Sequence, residues 1–215
     1  SVVGLFASTY NLNFSNLHIK NIVLENPNIV GKDFVGGIVG YINGTTYERC
    51  LNISNISIHG GKIKGNNHVG GIIGYLRAGS YLENYYVGGE RHLIDNLYND
   101  ATIEANNYAG GIIGFATNIT GYKEGNSIFQ ITNILNKGKI VSNNYASGLI
   151  GKIKTAENNY ISIYNAMNTG KVEGQTCTAG ITCKLEDSSV GELRLANIYY
   201  LEQLGINLNN SYIKT

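Results

Sequence analysis

The acidic residues that lie closest together are the first candidates for chemistry. Asp95, Asp100 and Glu104 fall within ten residues of one another. Enzymes that cleave polysaccharides need two carboxylates on one face, of which one donates a proton and the other acts as nucleophile or base. A solvated turn accounts for these three residues without any chemistry, and the remaining acids are scattered along the chain. We therefore predict that the chain is not an enzyme and has no catalytic residue.

Histidine and cysteine are the next candidates, because both bind metal ions. The histidines are His18, His59, His68 and His92, and the cysteines are Cys50, Cys177 and Cys183. No two of these residues have the spacing of a metal site. We predict no metal and no cofactor, with the histidines at the surface. The cysteines are interpreted as small buried apolar residues, and a bond between Cys177 and Cys183 is the alternative.

The composition limits the class of protein. Charged residues make up 14% of the 215 residues and the net charge is +1, so no field attracts nucleic acid. No apolar run reaches the roughly 18 residues that a membrane span requires, so we expect no membrane insertion. The chain is 43% hydrophobic with 28 glycines and 1 proline, a composition typical of short strands joined by many tight turns.

A six-residue pattern recurs along the chain. Its four clearest copies start at Val35, Val69, Ala109 and Ala146, and two degenerate copies start at Val2 and Thr178. The third position is always Gly, for which we expect either a special backbone dihedral or the close approach of a neighbour. Strand alternation would turn the second, fourth and sixth positions inward. The fourth position is then an inward ladder, formed by Leu5, Ile38, Ile72, Ile112, Leu149 and Ile181.

An asparagine recurs 15 or 16 residues before the constant glycine of the next hexad. The column consists of Asn21, Asn55, Asn96, Asn133, Asn165 and Asn197, after the last of which no hexad follows. Stacked asparagines can hydrogen-bond along a ladder, and asparagine tolerates the left-handed backbone conformation. We expect this column to do both.

The repeat predicts the fold. A third apolar element precedes each hexad, and the constant glycines are 32 to 40 residues apart. A unit of this size cannot bury its apolar side alone, but stacked units can. Glycine pairs in every unit disfavour helices, and a propeller would need four strands per blade. We predict an all-β, right-handed parallel β-solenoid (β-helix) in one domain, residues 1–215. It has about six coils, starting near 2, 35, 69, 109, 146 and 178, with roughly three short strands each.

An isolated solenoid exposes the strand edges of its end coils. We expect residues 199–215 to cap the last coil, with self-association as the alternative. The first residues carry no signal peptide and are expected to follow other parts of a longer protein.

The hexad, preceded by Gly-x-Val/Ile and followed by an Asn-containing strand, resembles the GLUG motif. Residues 136–140 leading into 147–151, and 168–174 leading into 179–181, are similar to it as well. The resemblance covers nearly the whole chain. GLUG repeats occur in large bacterial surface proteins, including adhesin-like proteins and the gluzincin immunoglobulin A1 proteases. The resemblance implies an extracellular location, at the cell surface or secreted. The His-Glu-x-x-His motif of those proteases is absent here.

Insertions mark a candidate binding face. The gap from the constant glycine to the next asparagine is 17 residues at its shortest, but 18 after Gly37, 25 after Gly71 and 22 after Gly111. Insertions of this kind cluster at one corner of successive coils and often bind ligands. Tyrosine and arginine are favoured at interfaces, and flat rings suit sugar faces. The predicted ligand-binding residues are Tyr47, Arg49, Arg77, Tyr81, Tyr85, Tyr86, Tyr122 and Lys123. In the alternative interpretation, these are irregular loops whose rings pack on the rod.

Three functions follow from these features. The first is an adhesin-like domain that binds a host glycan or matrix protein. The second is a rigid spacer that positions substrate or other domains of the same parent chain in a large secreted protease. The third is a carbohydrate-active β-helix enzyme, which the scattered acids disfavour.

Overall fold

A computed structural model describes residues 1–9, 17–44, 51–79, 93–119, 128–154, 160–186, 192–200 and 213–214. Every regular element in these ranges is a β-strand. The chain therefore builds its core from strands alone throughout the described part.

The strands follow one another in coils of four. The first coil contains β1 (Val2–Val3), β2 (Phe6–Ser8), β3 (Leu17–Glu25) and β4 (Asn28–Val30). The second contains β5 (Phe34–Gly36), β6 (Val39–Gly44), β7 (Leu51–His59) and β8 (Lys62–Lys64). The third contains β9 (His68–Gly70), β10 (Ile73–Gly79), β11 (Leu93–Asn99) and β12 (Thr102–Ala105). The fourth contains β13 (Tyr108–Gly110), β14 (Ile113–Ile119), β15 (Ile128–Asn136) and β16 (Ile140–Ser142). The fifth contains β17 (Tyr145–Ser147), β18 (Ile150–Lys154), β19 (Tyr160–Asn168) and β20 (Val172–Gly174). The last contains β21 (Cys177–Ala179), β22 (Lys184–Glu186) and β23 (Glu192–Tyr200), followed by β24 (Ile213–Lys214).

Equivalent strands of successive coils pair in parallel and form four sheets. Sheet A contains the first strand of every coil, sheet B the second, sheet C the third and sheet D the fourth. The predicted β-solenoid is confirmed. Two details differ from the prediction: a coil has four strands rather than about three, and five coils are complete rather than about six.

The extra strand arises because the hexad bends. β5 ends at Gly36 and β6 begins at Val39, so Gly37 and Ile38 form a corner between sheets A and B. The predicted alternation across one continuous strand is therefore wrong: Val39, at the fifth position, is as fully buried as Ile38. The inward ladder itself is confirmed for Ile38, Ile72, Ile112, Leu149 and Ile181, which are all fully buried. Leu5 is 55% exposed because it lies in the end coil of the stack.

The constant glycine is required because neighbouring atoms lie too close to leave room for a side chain. A Cβ added to Gly71 would lie 2.6 Å from Cγ of Asn99 and would also overlap the carbonyl oxygen of Gly111. The constant glycines are not among the described residues with positive φ. Of the two predicted reasons, the neighbour's approach is therefore the one that applies.

The Asn99 side chain belongs to a buried ladder that the sequence analysis missed. Asn99, Asn136 and Asn168 are fully buried inside the solenoid. Asn99 Nδ2 donates to Asn136 Oδ1 at 2.8 Å, and Asn136 Nδ2 donates to Asn168 Oδ1 at 2.8 Å. Each Nδ2 also donates to a backbone carbonyl two residues further along the chain. Buried polar groups are tolerated when they are hydrogen-bonded in this way.

The predicted asparagine column is confirmed in both respects, and its members are exposed. All six members have positive φ, between 50° and 60°. Side-chain hydrogen bonds of 2.9 to 3.1 Å join neighbouring members in four of the five steps. In the remaining step Asn133 Nδ2 donates to Asp95 Oδ1 instead, at 2.7 Å. The left-handed conformation at each step lets the strand of sheet C bend around the core.

The last coil is held by a disulfide. Cys177 and Cys183 are bonded, with their Cα atoms 5.9 Å apart, so their interpretation as unpaired apolar residues is wrong. The two cysteines meet because Cys177 begins β21 and Cys183 directly precedes β22, on either side of the hexad corner. Beyond it, β24 pairs with β23, and the Tyr200 ring fills the space beside Gly180.

We expect the Cys177→Ser/Cys183→Ser double variant to lose about 2 kcal/mol of unfolding free energy, the loop-closure entropy of so short a crosslink. Urea denaturation followed by circular dichroism measures this. A reducing agent should shift the midpoint of the native chain by the same amount and leave that of the double variant unchanged. A reductant effect of equal size on both chains would contradict this origin.

Four ion pairs lie along sheet D, three of them between neighbouring coils and one, Lys171 with Glu173, within a coil. Glu104 lies 2.7 Å from Lys62 Nζ and 3.6 Å from Lys64 Nζ, and Glu173 lies 2.9 Å from Lys139 Nζ and 2.6 Å from Lys171 Nζ. The hydrogen bond from Lys62 is the largest cause that holds the pKa of Glu104 below its usual value. A lowered carboxyl pKa stabilises the fold above the unfolded-state pKa, and this contribution is lost as the pH falls through the folded-state pKa.

We accordingly expect the chain to lose stability as the pH falls through the acidic range below about 4.5, where glutamate protonates. In Glu104→Gln this loss should be smaller, by less than about 1 kcal/mol because the pair is partly exposed. Melting temperatures measured from pH 6 to pH 3 test this. An identical pH profile for both proteins would show that the Glu104 pair contributes nothing.

Candidate binding surface

Six of the seven internal segments outside the described ranges attach at one corner of the solenoid, and the seventh, residues 201–212, joins β23 to β24 of sheet C. Residues 10–16, 45–50, 80–92, 120–127, 155–159 and 187–191 each join a strand of sheet B to the following strand of sheet C. Because the strands of each sheet are stacked in register, the attachment points line up along the axis. The longest of these six segments belong to the third and fourth coils, which are neighbours. The insertions thus begin and end where the sequence predicted, at a shared corner.

Most of the predicted binding residues lie within these segments. Tyr47, Arg49, Tyr81, Tyr85, Tyr86, Tyr122 and Lys123 fall outside the described residues. Arg77 is described: it lies on β10 between buried Leu76 and the start of the 80–92 segment. It pairs in register with Asn43 of β6 and Thr117 of β14. The side chain is on the outer face of sheet B, beside the insertion corner.

Two columns of aromatic rings run along the outer face next to Arg77. The first, on sheet A, consists of Phe34, His68, Tyr108 and Tyr145. Neighbouring ring centroids are 5.0 to 5.4 Å apart. The second, on sheet B, consists of Tyr41, Tyr75 and Phe115, at 4.8 and 4.9 Å. The columns touch each other, with Phe34 4.8 Å from Tyr75 and His68 5.0 Å from Phe115.

The orientation of the rings decides what this surface can bind. Within the sheet A column the planes are 5° to 20° from parallel, and Tyr41 and Tyr75 are 11° from parallel. Stacked rings cover one another's faces, so a sugar cannot lie flat on them. Phe115 is not stacked on its neighbour in the column, since its plane is 86° from that of Tyr75. Ring edges and tyrosine hydroxyls are the parts left for a ligand. Burial is the main cause that raises the pKa of Tyr75, followed by Tyr41, while Arg77 lowers it.

A lysine continues the second column. Lys152 of β18 pairs in register with Phe115, and its Nζ lies 4.9 Å from the Phe115 centroid and 5.0 Å from that of Tyr108. Such cation–π contacts hold a cation over an aromatic surface. Lys154 follows two residues later on the same strand. Strands β5, β6, β9, β10, β13, β14, β17 and β18 contain no acidic residue. The described outer face of sheets A and B in these coils is therefore basic and aromatic.

The sequence carried a signal for the aromatic columns. The sheet A rings come directly before each hexad, and the sheet B rings come directly after it. None of these seven rings is among the predicted binding residues, because the hexad accounts for the repeat without them. His68 was expected at the surface but is half-buried, between the rings of Phe34 and Tyr108.

The structure separates the acidic candidates. Asp95 is on sheet C, where it accepts hydrogen bonds from Thr132 and Asn133. Glu104 is on sheet D, between two lysines. Among the residues with described positions, no three His, Cys, Asp or Glu side chains are grouped to hold a metal ion. Asp95 and Glu104 therefore lie on different sheets and do not form a carboxylate pair.

Comparison with known proteins yields no match to a family model, to a curated protein or to a solved structure. The described residues also form no helix long and apolar enough to cross a membrane.

Proposed function

We propose that this chain is a non-catalytic binding domain of a bacterial cell-surface or secreted protein, adhesin-like, with a host glycan or matrix protein as its ligand. The observation that carries the proposal is the common attachment of six segments, 5 to 13 residues long, at one corner of a regular scaffold. Variable segments on rigid scaffolds are where binding residues concentrate.

Two further features support an extracellular location. The disulfide between Cys177 and Cys183 is of a kind that forms and persists in oxidising compartments. The resemblance of the hexads to GLUG repeats points in the same direction.

The rigid spacer of a secreted protease is the second candidate. The asparagine ladders favour it, because side-chain hydrogen bonds between every pair of neighbouring coils stiffen the rod along its axis. A carbohydrate-active enzyme is the weakest candidate, since Asp95 and Glu104 lie on different sheets.

The test is binding of the domain to a panel of host glycans and matrix proteins. A variant in which a Gly-Ser linker replaces residues 80–91 leaves β10 and β11 intact. A matched control replaces residues 155–159, the shortest of the segments that follow sheet B in the complete coils. We expect a ligand that binds the native domain and the control, and whose affinity for the first variant falls at least about tenfold. Absence of binding to the whole panel would overturn the proposal in favour of the spacer.

A further inference from the structure

We infer that the outer face of sheet C in the last three coils binds an uncharged polysaccharide whose chain lies along the solenoid axis. This surface, which we call the ladder face, consists of residues 132–135, 164–167 and 196–199. It occupies the second half of β15, β19 and β23, whereas the insertions attach before the first residue of each of these strands. The inference therefore goes beyond the proposed binding at the insertion corner and does not depend on it.

The exposed asparagines of the ladder face supply spare hydrogen-bonding groups. Asn197 Nδ2 donates to Asn165 Oδ1 at 2.9 Å, and Asn165 Nδ2 donates to Asn133 Oδ1 at 3.1 Å. A side-chain amide has two N–H groups and two acceptor lone pairs, so the ladder uses one of each at Asn165. The second N–H and the second lone pair belong to an exposed side chain. The ladder therefore offers a donor beside an acceptor, the combination that sugar hydroxyl groups require.

An apolar column runs beside these asparagines. Leu135, Met167 and Tyr199 pair in register on β15, β19 and β23. Leu135 is half-buried, whereas Met167 is 39% exposed and Tyr199 is 60% exposed. The neighbour of Tyr199 in this column is a methionine, so its ring is not part of a continuous stack like those of sheets A and B. An exposed ring of this kind offers a flat apolar surface to the C–H groups of a sugar.

The absence of charge decides which ligand fits. Residues 132–135, 164–167 and 196–199 include no charged side chain. An ionised ligand would find no counter-charge on this face, so the complementary ligand is an uncharged one. A peptide that adds as a strand needs an unpaired strand edge, but β15 and β19 are paired along both edges. Hydroxyl groups and C–H surfaces therefore match the ladder face in charge and in hydrogen bonding.

The spacing of the coils fits an extended glycan. Paired strands lie about 4.8 Å apart, so three coils cover roughly 15 Å, comparable to the length of a trisaccharide. An extended β-1,4-linked chain is a flat ribbon with hydroxyl groups along its edges and C–H groups on its faces. Laid along the axis, such a chain places successive hydroxyl groups at Asn133, Asn165 and Asn197 and a sugar ring on Tyr199.

The test is an NMR titration that follows the side-chain amide signals of the asparagines. The neutral probe is cellotriose, and the anionic probe of equal length is trigalacturonate. We expect cellotriose to shift the signals of Asn133, Asn165 and Asn197 and to leave those of Asn21 and Asn55 unchanged. The affinity should not change with salt, because no charge pair forms. Trigalacturonate should bind more weakly.

Substitutions in the ladder face have matched controls. Tyr199→Ala should lower the cellotriose affinity about tenfold, the effect of a lost aromatic contact, whereas Tyr199→Phe keeps the ring and should bind like the native chain. Asn165→Gly should lower the affinity at least about fivefold, the effect of one lost hydrogen bond. Asn55→Gly is its control, since Asn55 is an exposed member of the same ladder outside the ladder face, with φ of 55° against 50° for Asn165. Glycine adopts this backbone conformation readily, so Asn55→Gly should leave the affinity unchanged.

Four results would overturn the inference. Cellotriose could leave the signals of Asn133, Asn165 and Asn197 in place, or trigalacturonate could bind more tightly than cellotriose. Equal cellotriose affinity in the native, Tyr199→Ala and Asn165→Gly proteins would exclude contact with these side chains. Equal losses in Asn165→Gly and Asn55→Gly would show that the ladder acts through the fold alone. None of these results decides the proposed function, which the Gly-Ser replacement of residues 80–91 tests separately.

Discussion

Replacing Asn136 with alanine is expected to lower the free energy of unfolding by at least about 3 kcal/mol. Asn136 is fully buried, accepts a hydrogen bond from Asn99, and donates to Asn168 and to the carbonyl oxygen of Gly138. Its removal deprives three groups in the core of these partners: the Asn99 side-chain NH2, the Asn168 side-chain oxygen and the Gly138 carbonyl oxygen. Each buried polar group that loses its partner costs about 1–3 kcal/mol. Urea denaturation followed by circular dichroism gives the difference.

The matched control is Asn143→Ala. Asn143 is in the same coil and also donates to an asparagine of the neighbouring coil, Asn106, at 2.8 Å, but it is exposed. Water can replace the lost partner there, so the loss should stay below about 1 kcal/mol. If both substitutions cost the same, burial of the ladder is not what makes it important.

Replacing Gly111 with alanine is the second substitution with a large expected effect. A Cβ at this position would overlap the carbonyl oxygen of Gly148 and the side chain of Asn136. The carbonyl oxygen belongs to the backbone, and hydrogen bonds hold the Asn136 amide in place, so the coils would have to move apart. We expect a loss of about 3 kcal/mol or more, at the upper end of overpacking effects. The yield of soluble protein and urea denaturation are the measurements.

Gly65→Ala is the control for this substitution. There the nearest atoms to an added Cβ are methyl groups of Val69 and Val35, at 2.7 and 2.8 Å. The corresponding position of the next two coils already holds Ala105 and Ser142. Stability should change by less than about 1 kcal/mol, since the stiffer unfolded chain offsets a small adjustment of the valines. Equal losses at Gly65 and Gly111 would contradict close coil-to-coil approach as the reason for the constant glycine.

The asparagines of the buried ladder also have a regular position in the sequence. Asn99, Asn136 and Asn168 each follow a member of the exposed column by three residues. Nothing in that spacing shows which asparagine is inside. The left-handed residue bends the strand and shifts the inward alternation by one position, so that Asn133 is exposed and Asn136 is buried. Simple alternation therefore assigns the wrong face.

The repeat period, the parallel solenoid, the inward aliphatic ladder and the exposed asparagine ladder were determined by the sequence alone. Equivalent residues occupy the same position in every coil, so a contact that recurs between coils requires the same residue type at a regular spacing in the sequence. Contacts made within one coil require no such regular spacing. The corner inside the hexad, the Cys177–Cys183 bond and the distribution of Asp95 and Glu104 over two sheets were decided only by the tertiary structure. Each depends on the angle at which consecutive strands meet around the core, and the spacing of residues in the sequence does not determine that angle.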